Sequence, residues 1–522
     1  MNPSTLDQIG EIIMPRLEIE NFVGDAEYAE KIKALVREHK AGGFCVFSAS
    51  PEALVRTIFE LQEIAKKSHG TPLIFSADCE FGLPMRFADT GTEFPEAMAM
   101  AKTGDPKLVF EAAKAIAKEM RSLGLAWNFA PVADVNSNPI NPIINIRSFG
   151  ENPEIVEKFA APFMLAMQSE GVAATAKHFP GHGDTSTDSH RELPSINKSW
   201  EEFNLVELPP FEYLIREGVM SVMTGHLAAP ELSKHLCATP ETRDLPATLS
   251  RTLTDDLLRG SMGFEGVIVT DALEMHAITK YFGEAEAAVL AFEAGADVLL
   301  MPHDPDQAFA AIEEAVSSGR IPFAEIEKRI SRINRLKLRT AIESSIIGSE
   351  RLNEFSYKHA KLAEEIARKA ISVDGKIDVR GAKLLIVSDD RPEALKKAKA
   401  FSELMRQAVT NVEISTPNKW AERSTNNPLL AGELDTDTIV AVFHRARGYI
   451  GGDSAAESIP KIIAEIAASL AGRNIALRGI VLIGSPYLGE TFQSNPGFTI
   501  KTYSESLASV RAASDKLQFV HQ

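Results

Sequence analysis

Lys177, His178, His182, Asp184, Asp188 and His190 fall within one fourteen-residue stretch, and no other part of the chain gathers as much acid–base capacity. Pro180, Gly181, Gly183 and several hydroxyl side chains stand between them, a composition that suits neither a helix interior nor a strand and predicts a long ordered loop over 177–190. The run just before it, 171–176, is apolar and β-tolerant and predicts a buried strand feeding that loop. His190, two residues after Asp188, has the chemistry of a general acid/base. An imidazole titrates near neutrality, and a nearby carboxylate fixes its tautomer and stabilises its charged form. Asp271 ends the apolar run 267–270 and can act as a carboxylate nucleophile toward an electrophilic carbon such as an anomeric centre. Glu274 competes for that role; Asp271 is preferred because it ends the strand, whereas Glu274 is already in the following turn. His178 and His182, with Asp184 and His190 nearby, also offer metal-ligand types. Pro180 and Gly181 break the helix that ligation at i,i+4 would need, and no metal is expected.

Something must bring these groups together. Asp78 follows the apolar run 73–77, Asp134 and Asn136 follow 129–131, Lys177 and His178 follow 172–176, His226 follows 221–225, and Asp271 follows 267–270. A lone Asp at a strand end is equally well explained as a helix cap. Five chemical groups at five strand ends are better explained by one fold, because in a (β/α)8 barrel all strand ends point to one mouth. Strands are expected at 12–14, 43–47, 72–77, 126–130, 172–176, 219–223, 266–270 and 297–301. Amphipathic helices are expected between them, at 51–67, 106–123 and 153–168 among others. The fold class is therefore α/β: an N-terminal (β/α)8 TIM-type barrel over 1–345, a helical connector over 346–380, and a smaller doubly wound α/β domain over 381–522. In that last domain the expected strands include 384–387, 438–443 and 479–483, four or five in all. His444, Arg445 and Arg447 follow one of these strands and are expected to be solvated charges.

At 522 residues the chain is too long for one ordinary core, in agreement with two domains. Its net charge of −17 disfavours nucleic-acid and anionic-membrane partners, which need a basic stripe. Cys45, Cys79 and Cys237 are odd in number and show no CxxC spacing, which argues against a disulfide framework or a zinc ribbon. The first sixteen residues lack a basic stretch followed by an apolar core, and no run of 18 apolar residues occurs. A cytoplasmic protein is expected.

These motifs resemble family-three glycoside hydrolases, and among them the bacterial β-N-acetylglucosaminidase branch. The segment Lys177-His178-Phe179-Pro180-Gly181-His182-Gly183-Asp184 is close to that branch's signature, and Asp188-Ser189-His190 matches its acid/base dyad. Phe129 to Asn136, Asn145 to Gly150, Pro246 to Ser250 and Val269 to Leu273 are further matches, so the similarity covers roughly residues 10 to 345. The resemblance implies Asp271 as nucleophile and His190, supported by Asp188, as acid/base. It implies Asp78, Arg86, Arg147, Lys177 and His178 as holders of the sugar hydroxyls, with a small-molecule sugar as partner and no cofactor. The second-strand loop departs from the family's pattern: Phe81 stands where a glycine is usual and Met85 is apolar, which reshapes the rim toward an aglycone. The implied activity is exo-acting, retaining removal of β-linked N-acetylglucosamine, with cell-wall fragments as substrate. A histidine in place of a second carboxylate removes a negative charge, so phosphorolysis stays open beside hydrolysis. A β-glucosidase of the same family and a catalytically silent sugar-binding protein are the other readings.

Overall fold

Apolar runs bounded by glycines and polar turns become the strands of a seven-stranded sheet, a six-stranded sheet and a two-stranded pair. The structure, a computed structural model, describes residues 8–185, 193–237, 239–240, 242–342, 347–420, 436–445, 455–472, 476–492 and 496–518. The chain divides into two compact units. One comprises 1–92, 109–138 and 150–359; the other comprises 93–108, 139–149 and 360–522. The division falls inside the helix Leu352–Ala370. Periodicity alone does not signal that two early segments group with the C-terminal residues.

The first unit is built on a curled parallel sheet of seven strands in sequential order. These are β2 (Arg16–Glu18), β3 (Gly43–Phe47), β4 (Ile74–Ala77), β5 (Trp127–Asn128), β6 (Ala173–Phe179), β7 (Ser221–Thr224) and β8 (Val267–Thr270). A parallel pair, β1 (Ile13–Met14) with β9 (Leu299–Leu300), accompanies them. Pro15 alone separates β1 from β2, and a parallel bridge between Val269 and Val298 ties β8 to the residues entering β9. Because every strand is parallel, all carboxyl ends lie on one rim. The connecting helices begin where the sequence demands. Pro51 and Pro153 occupy first-turn positions, where the missing N–H costs nothing, and the preceding Ser50 and Asn152 accept from Ala53 N at 3.3 Å and Ile155 N at 3.0 Å.

The loop expected from residue 177 onward begins later in the chain. Lys177, His178 and Phe179 do not belong to a loop; they continue β6, whose seven residues are all buried. Their backbone groups are satisfied on both sides. Ala133 donates to the Lys177 carbonyl at 2.7 Å, and Gly225 donates to that of Phe179 at 2.8 Å. A lysine can occupy an interior strand only if its charge is paired. Lys177 is so paired, and composition alone could not reveal the partners.

The second unit holds a six-stranded sheet in the order β10-β15-β14-β13-β11-β12. Its strands are β10 (Ser372–Gly375), β11 (Lys383–Val387), β12 (Asn411–Ser415), β13 (Thr438–His444), β14 (Gly479–Gly484) and β15 (Phe498–Lys501). All pairings are parallel except that of β10. The two-residue alternation of a strand sorts the apolar side chains into two cores. Leu384, Ile386, Ala441, Phe443 and Val481 pack with Phe401, Met405, Val510 and Leu517. Leu385, Val387, Val440, Val442 and Leu482 pack with Ile459, Ile463, Ile466 and Leu470. The sheet exceeds the expected four or five strands because β10 and β12 are half-exposed edges without a continuous apolar run. His444 and Arg445 are buried instead of solvated, since they end the inner strand β13, and Arg445 lies 3.5 Å from Glu96. Arg447 lies outside the described residues.

Candidate active site

β4 and β6 place a charged cluster on the carboxyl rim of the first unit. Asp78 follows β4 directly, and its Oδ1 accepts from Lys177 Nζ at 2.8 Å. Its Oδ2 accepts from Arg86, through Nε at 3.2 Å and also through Nη2. Lys177 Nζ lies 2.8 Å from Glu80 Oε1 as well. Burial works against ionisation of Asp78, but Arg86 and Lys177 outweigh it and hold this carboxyl well below the usual carboxylate range. The rim thus presents a fixed carboxylate between two fixed cations, a set that makes charge-assisted hydrogen bonds to the hydroxyls of a polar ring.

A second group is arranged around Asp134, which is fully buried. Its Oδ1 accepts the backbone N–H groups of His178 at 3.0 Å and His182 at 2.7 Å, and its Oδ2 lies 2.7 Å from His178 Nδ1. A carboxylate there fixes the His178 ring with Nδ1 protonated, so that Nε2 is the nitrogen without the proton in the neutral ring. His182 Nδ1 meets Thr185 Oγ1 at 2.8 Å. Burial, helped by His178, pushes the His182 pKa down to about 4, so this ring is neutral near pH 7. Gly183 lets the turn close on the segment after β5: a Cβ there would stand 1.6 Å from the Val135 carbonyl oxygen.

β8 carries the third group. Asp271 follows Thr270, donates its N–H to the Thr224 carbonyl at 3.0 Å, and accepts at Oδ1 from Ala272 N–H at 2.8 Å. The registers Phe179 to Thr224 and Thr224 to Thr270 set Asp271 level with the end of β6. Its charge acts on His182. Glu274, the competing carboxylate, is instead bound to Arg16 Nη1 at 2.8 Å. The Arg16 guanidinium stacks 3.9 Å from the Phe47 ring centroid, and Arg86 lies 4.8 Å from the same ring. Glu274, Arg16, Phe47, Arg86, Asp78 and Lys177 therefore form one chain of contacts along the rim.

The structure brings Asp78, Arg86, Lys177, His178 and Asp271 to this rim. Arg147 belongs to the second unit, where it is buried and donates from Nη1 to the Ile143 carbonyl at 3.2 Å. Asp188 and His190 lie outside the described residues. Sequence reasoning missed Glu80, although a second acid two residues after Asp78 is a readable sign that a cation must lie between them. It also gave no role to His226, whose fully buried ring spans Thr248 Oγ1 and the Ala272 carbonyl, each at 2.8 Å. Among the described residues no group of three or more His, Cys, Asp or Glu is arranged to hold a metal ion, and no helix is long and apolar enough to cross a membrane.

Comparison with known proteins bears on this geometry. The family model for the glycosyl hydrolase family 3 N terminal domain matches residues 5–336. A beta-hexosaminidase A of Pseudoalteromonas piscicida is 32% identical over 406 residues, 73% of this chain and 68% of that protein. A beta-N-acetylglucosaminidase/beta-glucosidase of Cellulomonas fimi is 32% identical over 322 residues, 60% of this chain and 55% of that protein. Among solved structures, a glycoside hydrolase family 3 beta-N-acetylglucosaminidase from Paenibacillus sp. str. FPU-7 superposes with a TM-score of 0.81 at 30% identity, covering 98% of this chain and 96% of the other.

Proposed function

This chain belongs to glycosyl hydrolase family 3, and from that premise we propose that it is a retaining exo-β-N-acetylglucosaminidase. The reading takes the first unit as a (β/α)8 catalytic barrel and the second as a doubly wound domain, with sequence boundaries at 1–345, 346–380 and 381–522. The observation that carries it is the rim itself. A carboxylate clamped between Lys177 and Arg86 stands on the same rim of strand ends as Asp271, which is tied through its backbone to Thr224 and through its carboxylate to Ala272 N–H, whereas Glu274 is drawn to Arg16.

In this reading Asp78, Arg86, Lys177 and His178 hold the hydroxyls of one pyranose ring. Arg147 joins them on the strength of the sequence resemblance alone. Asp271 attacks C1 and forms a glycosyl ester while protonated His190, oriented by Asp188, gives its proton to the departing oxygen. Neutral His190 then takes a proton from water, which attacks C1 and frees Asp271. The sugar leaves with its starting anomeric configuration. Terminal N-acetylglucosamine on peptidoglycan-derived fragments is the substrate class proposed, supported by the bacterial branch that the motifs resemble and by the names of the relatives.

The test is cleavage of matched aryl β-glycosides, with and without the 2-acetamido group, in the presence and absence of inorganic phosphate. Free N-acetylglucosamine in both buffers is the expected product. Sugar 1-phosphate formed only with phosphate would make the protein a phosphorylase, and preference for the plain glucoside would make it a glucosidase.

A further inference from the structure

We propose that His226 is a positioning residue that fixes the turn carrying the nucleophile, a role that rests on Asp271 being that nucleophile. The ring is fully buried at the end of β7 and reaches across to the residue after Asp271. A carbonyl oxygen can only accept, so the 2.8 Å contact with Ala272 assigns the proton to His226 Nε2. On its other side Nδ1 meets Thr248 Oγ1 at 2.8 Å, and that hydroxyl oxygen lies 3.1 Å from the Gly225 carbonyl and 3.3 Å from the Thr224 carbonyl. His226 is thus braced against its own strand end while it grips the neighbouring turn.

Ala272 is held at both ends. Its N–H donates to Asp271 Oδ1 at 2.8 Å and its carbonyl accepts from His226. Asp271 N–H is tied to the Thr224 carbonyl at 3.0 Å, and Leu273 N–H to the Leu300 carbonyl at 2.9 Å. Two of these four anchors are backbone to backbone and any side chain would preserve them; a third needs the Asp271 carboxylate itself. The fourth depends on a histidine. If it is lost, Ala272 can rotate and take with it the N–H that aims the Asp271 carboxylate. A displacement of about 1 Å at a reacting atom costs up to roughly 100-fold in rate.

Asparagine and glutamine separate the two ring nitrogens, because the Asn amide reaches the position of Nδ1 and the Gln amide that of Nε2. With an aryl β-N-acetylglucosaminide, His226→Asn should lower kcat by roughly 30-fold and leave KM within about threefold, while His226→Gln recovers most of the loss. The decisive arm repeats the pair in an Asp271→Gly background supplied with azide, which attacks C1 in place of the carboxylate as the aryloxide leaves. With no carboxylate left to aim, His226→Asn should cost nothing further there. An equal penalty in both backgrounds, or equal losses for Asn and Gln, would overturn the positioning role and leave His226 a core residue. Full activity of Asp271→Gly without azide would instead overturn the nucleophile assignment beneath it.

Discussion

Lys177 Nζ and Asp78 Oδ1 are 2.8 Å apart although 99 residues separate them in the chain. The contact joins the end of β6 to the end of β4, and Glu80 takes a second contact from the same ammonium group. A lysine with a side chain only 2% exposed is tolerable because two carboxylates share its charge. Asp78, Lys177, Glu80 and Arg86 thus fix one another's positions through their own contacts.

That arrangement predicts an unequal response to its dismantling. Lys177→Met leaves Glu80 buried without this cation and should destabilise the fold by about 3 kcal/mol in urea unfolding. Adding Glu80→Gln removes one of the two buried carboxylate charges that Lys177 serves, so the double variant should be more stable than Lys177→Met alone. A double variant that is less stable would mean that the lysine charge is not what Glu80 serves.

Asp271 and Glu274 should behave differently. Asp271→Asn should lower kcat/KM for aryl β-N-acetylglucosaminides by roughly 1,000-fold or more. Glu274→Gln, which only weakens the contact with Arg16, should stay within about tenfold of the parent. The reverse order would make Glu274 the nucleophile.

Much of this rim is written in the sequence, because each strand end carries its chemistry within a residue or two of an apolar run. The strand 43–47 and the helix 323–339 appear with the expected limits. What could not be read is pairing at a distance. The extension of β6 through Lys177 depends on Asp78 and Glu80, and the meeting of Arg16 with Glu274 joins β2 to the turn after β8. The edge strands β10 and β12 escaped because half-exposed strands need no apolar run. The dyad of Asp188 and His190 is the opposite case: its residues stand out in the sequence and lie outside the described residues.

Removal of His190 should discriminate between leaving groups. His190→Ala should slow turnover of alkyl or disaccharide glycosides by roughly 100-fold or more, yet affect dinitrophenyl glycosides far less, since their aryloxide needs no proton. Equal losses on both would deny His190 the acid role.

Acid should weaken the fold through His182. Its pKa is pushed down to about 4 in the folded protein, against an ordinary value of 6.5. The unfolded chain therefore binds the extra proton first. The stability contributed by the neutral ring is complete above about pH 6.5 and is lost as pH falls toward 4, with a slope of up to about 1.4 kcal/mol per pH unit. His182→Asn, which preserves a group at the Nδ1 position facing Thr185, should flatten the dependence of Tm on pH across that window. An unchanged profile would assign the acid sensitivity to other groups.

The most direct measurement is proton NMR of an aryl β-N-acetylglucosaminide during its first minutes of hydrolysis, before mutarotation mixes the anomers. Double displacement through Asp271 predicts that β-N-acetylglucosamine appears first and the α anomer grows in later. Initial release of the α anomer would mean a single displacement by water and would contradict a covalent role for Asp271.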